Sequence, residues 1–68
     1  MDAKQRGKIL KEAREKTGYT QAQITEKIGM SKSYYIHLEQ GFNDIAKASG
    51  AVKILIEQIL NVDVESLS

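Results

Sequence analysis

Residues 21–40 read QAQITEKIGMSKSYYIHLEQ, and their apolar side chains follow the spacing of two short helices packed across a turn. Five apolar positions face inward on this pattern: Ile24, Ile28, Met30, Tyr35 and Leu38. Gly29 stands where the chain would turn through a positive φ. Thr20 and Ser31 can cap the two segments at their starts, and Gly41 can end the second. The stretch therefore predicts a helix of about eight residues, a glycine turn and a helix of about nine residues.

The flanking sequence predicts further helices around the same core. Residues 3–16 consist largely of good helix formers, and residues 51–60 repeat apolar side chains with helical spacing. Residues 42–49 read as a loop with about one helical turn, and Asp63 could cap a last turn that returns Leu67 to the core. Because isolated helices this short are marginal in water, they must pack together. We predict an all-α fold, a compact bundle of about five short helices with the two-helix unit at residues 21–40.

Length and composition exclude several classes of protein. With 68 residues the chain is expected to form one domain over residues 1–68, with a single small core. The absence of cysteine and the single histidine exclude a disulfide framework and make a metal site or a catalytic acid and base pair very unfavourable. No apolar run approaches the roughly 18 residues of a membrane span, and the N-terminus is not signal-like. The expected location is cytoplasmic, and neither a cofactor nor enzyme activity is expected.

Charge is distributed unevenly along the chain. The formal net charge is only +1, but residues 1–40 hold eight basic and five acidic side chains, whereas residues 41–68 hold two basic and four acidic ones. A surface for nucleic acid should therefore be built mainly from the first forty residues.

Besides the spacing of its apolar residues, the two-helix unit, with its immediate flanks, contains three blocks of specific residues. They are Gly18-Tyr19-Thr20-Gln21, Lys27-Ile28-Gly29-Met30-Ser31 and Leu38-Glu39-Gln40-Gly41. In these blocks the chain resembles the Cro and phage-repressor type of helix-turn-helix, also called the XRE family. The resemblance runs without a gap from about Leu10 to Gly41 and more loosely to Leu67. It implies a bundle of about five helices that binds pseudo-palindromic DNA operators as a dimer and uses no cofactor.

Three positions depart from the family's usual residues. Thr25 stands where alanine is usual, and we expect its hydroxyl to donate to a carbonyl one turn earlier. Tyr35 stands where isoleucine or valine is usual, and its hydroxyl should reach a partner at the rim of the core. Glu57 replaces a small apolar residue, and the sequence offers no reason for it.

The resemblance also assigns roles to individual residues. If the second helix of the unit enters the major groove, Lys32, Ser33 and His37 occupy the positions that read bases. Lysine suits the two acceptors of guanine, serine is permissive, and histidine can donate to guanine or to a phosphate. Contacts to the DNA backbone fall to five further positions: Gln21, Tyr34, Gln40, Asn43 and Lys47. For Lys32 and His37 the alternative is a solvated surface side chain, and for Gln21 it is a polar residue in the first turn of a helix. For Tyr34 it is a cover over the end of the preceding helix.

Two further sets of residues carry structural expectations. Arg14 and Glu39 occupy positions at which the family has an ion pair across packed helices. The apolar side chains near the C-terminus exceed what one small core needs, and some of them should meet a second copy of the chain. The candidates for this dimer contact are Ile54, Val62, Val64 and Leu67.

The function most consistent with these features is sequence-specific DNA binding by a transcription regulator. A repressor that acts as a homodimer on a pseudo-palindromic operator fits best, with the second helix of the unit in the major groove. The alternative is a protein-interaction module of the antirepressor or antitoxin type that keeps the fold. Its support is the modest net charge, an exposed Ile36 and the aromatic pair Tyr34 and Tyr35.

Overall fold

The computed structural model describes residues 1–67, which form four α-helices and two short 3-10 turns. In chain order the helices are α1 (Ala3–Thr17), α2 (Gln21–Ile28), α3 (Lys32–Gln40) and α4 (Gly50–Leu60). The 3-10 turns span Ile45–Lys47 and Val64–Leu67. No strand occurs in this part of the chain, and none of its helices has the length and apolar character that crossing a membrane requires.

The all-α class is confirmed, but the expected count of about five helices is wrong, because residues 1–67 form four α-helices. The last segment has only four residues and closes with an i to i+3 bond, from the Ser66 N–H to the Asp63 carbonyl. Such a short run stays a single 3-10 turn rather than becoming a helix. Its start is held by Glu57, whose carboxylate accepts the Val64 N–H at 3.3 Å, so this unexpected glutamate has a structural use.

Helix boundaries follow the caps expected from the sequence. Thr20 and Ser31 accept the N–H groups of Gln23 and Tyr34 at the starts of α2 and α3. Gly29 follows α2 with φ +80°, a left-handed conformation that costs glycine little. These short-range signals set both helices of the motif to within one residue of the expected positions.

A single apolar core lies among the four helices and the 3-10 turns. Its members are Leu10, Ile24, Tyr35, Leu38, Ile45, Ile56, Leu60 and Val64. Every α-helix contributes at least one of these side chains, and the turns contribute Ile45 and Val64. Since α2 and α3 are too short to be stable alone, their orientation depends on this shared core.

Two helices approach each other closely at Gly7, in the first half of α1. A Cβ atom placed there would lie 2.4 Å from the carbonyl oxygens of both Leu38 and Glu39 on α3. No side chain fits such a gap without moving the backbone of one helix. Gly7 thus lets α1 and α3 cross in direct contact, which fixes how α3 is presented to solvent.

The two substituted core positions behave differently. The Thr25 hydroxyl donates to the Gln21 carbonyl at 2.9 Å, so the expected back-bond is confirmed. Tyr35 is wholly buried rather than at the rim, and within residues 1–67 its hydroxyl has no hydrogen-bond partner. Burial raises the pKa of this hydroxyl far above its ordinary value. The expectation of a partner at the core's edge was therefore wrong, because the ring lies deeper than expected.

Arg6 forms an ion pair that the sequence did not reveal, with Asp44 in the loop after α3. It also bonds to residues near both termini. Arg6 donates through Nε to Asp44 Oδ1 at 2.8 Å and through a terminal nitrogen to Oδ2 at 2.6 Å. Its other nitrogen donates to the carbonyls of Met1 and Leu67. The hydrogen bonds from Arg6 lower the pKa of Asp44 to about 2.

Candidate nucleic-acid interface

The outer face of α3 is an exposed polar surface of the two-helix unit. Lys32, Ser33 and His37 are all exposed, whereas Tyr35 and Leu38 on the opposite face are completely buried. The three expected base-reading side chains therefore share the outer face of one helix, with Lys32 and Ser33 in its first turn and His37 about one turn later. A helix that presents such a face can enter the major groove while its inner face stays anchored in the core.

The starts of α2 and α3 supply a second feature suited to DNA. The first amides of a helix have no partner within the helix, and the caps Thr20 and Ser31 each satisfy only one of them. Neither helix carries an acidic residue in its first turn. Free amides and the positive end of the helix dipole together favour a phosphate at these positions.

A buried polar network connects α1, α2 and α3 beneath this surface. Arg14 donates through Nε to Glu39 Oε2 at 2.7 Å and through a terminal nitrogen to Oε1 at 3.2 Å. Gln21 donates through its amide nitrogen to Glu39 Oε1 at 3.0 Å. A further Arg14 nitrogen donates to the Tyr19 carbonyl at 2.8 Å. The expected partners Arg14 and Glu39 thus meet, and they also orient Gln21 at the start of α2.

Charge in this network is well compensated. Burial acts to raise the pKa of the Glu39 carboxyl, but the hydrogen bonds from Arg14 and Gln21 outweigh it, and the pKa is lowered overall. The carboxylate is therefore ionised at neutral pH, although Glu39 is only 6% exposed. Its negative charge does not reach the outer face of α3 unpaired, which keeps that face favourable to DNA.

The expected backbone-contact residues divide into separate groups in space. Tyr34, Asn43 and Lys47 line one shallow depression between the end of α3 and the following loop. Tyr34 is half-buried and packs against the core, so it also covers part of the protein interior. Gln40 lies elsewhere, beside the lysines of α1, and Gln21 lies at the start of α2. The structure brings three of these five residues together.

Phe42 belongs to this surface and was not singled out from the sequence. Its side chain is 76% exposed and meets the His37 ring edge to face, with ring centroids 5.7 Å apart. It also lines the depression that holds Tyr34 and Asn43. A lone phenylalanine in a loop carries no periodic signal. Its place beside His37 could therefore not be predicted from the sequence without the path of the chain after Gly41.

Only part of the expected dimer surface is exposed. Ile54 is 54% exposed on α4, and its neighbour Leu55 is 37% exposed. Val62 is half-buried, and Val64 and Leu67 are buried in the chain's own core. The assignment of Val64 and Leu67 to a dimer contact is therefore corrected. The last 3-10 turn folds back against the turn that contains Ile45, and Val64 joins the same core cluster as Ile45.

Within residues 1–67 no group of three or more histidine, cysteine or acidic side chains is arranged to hold a metal ion. Two capped helices joined by a glycine turn, with a polar outer face on the second, define a fold of the helix-turn-helix class, which DNA-binding proteins use.

Comparison with known families supports the same class. The family model described as "Helix-turn-helix" matches residues 10–67, and this chain belongs to that family, in its Cro and XRE type. The resemblance drawn from the sequence is thereby confirmed. The family consists of DNA-binding regulators, which are typically not enzymes. No curated protein and no solved structure matches the chain.

Proposed function

We propose that residues 1–68 act as one domain of a sequence-specific transcription regulator and that α3 enters the major groove of DNA. The observation that carries this proposal is the joint exposure of Lys32, Ser33 and His37 on the outer face of α3. The opposite face of that helix is fixed by the core and by the contact at Gly7. A rigid helix with a polar outer face is the form in which this class reads bases.

Base reading falls to the three exposed residues of α3. Lys32 can donate to O6 and N7 of guanine, and His37 can donate to a guanine or a phosphate. Ser33 can donate or accept and therefore tolerates more than one base. None of these side chains makes a hydrogen bond within residues 1–67, so binding DNA breaks no internal bond of theirs.

Backbone binding is assigned to residues around this helix. Gln21 keeps a second amide hydrogen for a phosphate while it donates the first to Glu39. Tyr34, Asn43 and Lys47 can meet the sugar-phosphate chain from their shared depression. Gln40 can meet it separately, from the end of α3 beside the lysines of α1. Free amides at the starts of α2 and α3 add contacts that need no positive side chain. This explains how a chain of net charge +1 can bind a polyanion.

We further propose that the regulator is a cytoplasmic repressor that binds a pseudo-palindromic operator as a homodimer. Two copies related by a two-fold axis would place their α3 helices in successive major grooves, about one helical turn apart. The exposed Ile54 and Leu55 on α4 provide a small apolar surface for the second copy, and the half-buried Val62, which follows the end of α4, is a further candidate. Because that surface is small, the dimer should be weak alone and tighten on DNA.

The direct test of DNA binding is fluorescence anisotropy with a labelled random-sequence duplex at several salt concentrations. A DNA-binding protein must lose affinity as salt rises, because its binding releases counterions from the phosphates. The variant Lys32→Ala serves as the comparison, since its side chain is exposed and its loss leaves the core intact. No binding at low salt, or binding that does not change with salt, would contradict the proposal.

The protein-interaction alternative has less support in the structure than in the sequence. Tyr35 is buried and Ile36 is half-buried, so neither offers a free apolar surface. Two of the features that favoured a protein partner are therefore used within the fold.

A further inference from the structure

Phe42 is the most exposed large apolar side chain among residues 1–67, and it lies beside the proposed reading surface. Its ring stands at 88° to the His37 imidazole, with centroids 5.7 Å apart. This edge-to-face arrangement is the favoured geometry for two aromatic rings. An apolar ring that is 76% exposed gains little from the core, and the imidazole of His37 is the aromatic neighbour that it contacts.

The backbone around Phe42 is held in place from both sides. Gly41 has φ +85°, and a Cβ atom there would lie 2.6 Å from the Lys4 Cα on α1. After the turn, the Asn43 N–H donates to the His37 carbonyl at 3.1 Å. The chain therefore leaves α3 along one defined path, which returns Phe42 to the side of His37.

The imidazole of His37 has no other visible restraint. No hydrogen bond within residues 1–67 engages its ring, and the residue is exposed. A free side chain must lose rotamer freedom when it binds a base edge, and that loss weakens binding. A ring packed against its neighbour has already lost part of this freedom.

We propose that Phe42 is a positioning residue for His37: its ring holds the imidazole in the orientation that meets DNA. This inference rests on the proposed function and deepens it, because it names what sets the specificity of one reading residue. Phe42 itself need not touch a base. Its effect on recognition should vanish when His37 is absent.

The first experiment is a double-mutant cycle on DNA discrimination. Wild type, Phe42→Ala, His37→Ala and the double variant are compared on an operator obtained by selection from a random DNA pool and on its single-base-pair variants. Phe42→Ala should reduce discrimination at the base pair that His37 contacts by roughly two- to tenfold, the scale of one aromatic pair. In the His37→Ala background the same change should have no further effect. Phe42→Tyr should retain the wild-type preference, and Phe42→Leu should lose it.

The second experiment examines the protein without DNA. The C–H resonances of the His37 ring in nuclear magnetic resonance spectra should shift when Phe42 is replaced by Ala or Leu, and should stay near their wild-type values with Tyr. Because Phe42 is largely exposed, all three variants are expected to fold.

Three outcomes would overturn the inference. Additive effects of the two substitutions would show that Phe42 acts independently of His37. Imidazole resonances that do not shift when the phenyl ring is removed would show that the two rings are not in contact in solution. Failure of the wild type to bind any DNA would overturn the proposed function and this inference with it, whereas the first two results leave the proposed function standing.

Discussion

At the scale of single residues, the role of Gly7 is steric and can be tested directly. Gly7→Ala should destabilise the fold by about 3 kcal/mol, the upper end of the range for overpacking, because its Cβ would overlap two carbonyl oxygens of α3. Gly50→Ala is the matched control, since a Cβ there meets no atom within 4 Å. Its stability should stay within about 1 kcal/mol of wild type. Urea unfolding measures both, and equal effects would contradict the close crossing of α1 and α3.

Residue roles at the proposed DNA surface separate into two kinds. Lys32→Ala should change the preferred base at one operator position, because a good base contact discriminates by about 1–3 kcal/mol. Gln21→Ala should weaken all sequences alike, because phosphate contacts carry little sequence information. Competition binding with a panel of single-base-pair variants distinguishes the two patterns. The assignment fails if Lys32→Ala keeps the wild-type preference or if Gln21→Ala alters it.

At the scale of helices, the Arg14–Glu39 pair links α1 to α3 and supports Gln21 on α2. Both residues are less than 10% exposed. Removing one partner therefore leaves the charge of the other unpaired in a poorly solvated site. Arg14→Met or Glu39→Gln should each cost about 3 kcal/mol, the lower end of the range for buried pairs. Their coupling in a double-mutant cycle on unfolding should exceed about 1 kcal/mol. Additivity within about 0.5 kcal/mol would rule the link out.

The Arg6–Asp44 pair gives the loop after α3 a pH dependence in acid. The pKa of Asp44 is about 2 in the fold, against an ordinary value of 3.8. Because the folded value is depressed, the stabilisation is complete above about pH 4 and is lost as pH falls from there towards 2. Asp44→Asn should therefore flatten the decline of stability across this window, as followed by thermal unfolding at each pH. A variant whose stability declines as steeply as that of wild type would refute the assignment.

Helix positions were predictable from the sequence because their signals are local. The caps at Thr20 and Ser31 and the turn at Gly29 act within four residues of the helix ends. Contacts between distant residues were not predictable in the same way. Arg6 and Asp44 are 38 positions apart, and no pattern along the chain reveals their pairing. The clearance that Gly7 provides depends on how two helices cross, so the sequence shows the glycine but not its reason.

The candidate site also divides into features that local sequence signals predict and features that depend on contacts between distant residues. Exposure of Lys32, Ser33 and His37 could be predicted, because it follows from the helical period once Tyr35 and Leu38 are placed inside. The burial of Val64 could not, since it depends on the last turn packing against the turn that contains Ile45. For Leu67 the sequence supported two roles, a return to the core and a dimer contact, and the structure agrees with the first. The position of Phe42 beside His37 also depends on the path of the loop after α3.

At the scale of the whole molecule, the proposed dimer should depend on the exposed face of α4. Ile54→Glu would place a charge in that apolar surface while leaving the core untouched, because the side chain is already 54% exposed. We expect weaker self-association in sedimentation experiments and weaker binding to a two-half-site operator, but little change on a single half-site. Equal binding of variant and wild type to the full operator would exclude this face as the dimer contact.

The central claim is that the outer face of α3 reads DNA sequence, and selection of binding sites from a random DNA pool tests it most directly. The wild-type protein should enrich one half-site sequence, repeated in inverted orientation about one helical turn apart. A pool that emerges from repeated rounds with no enriched sequence, although the protein is folded, would contradict the claim.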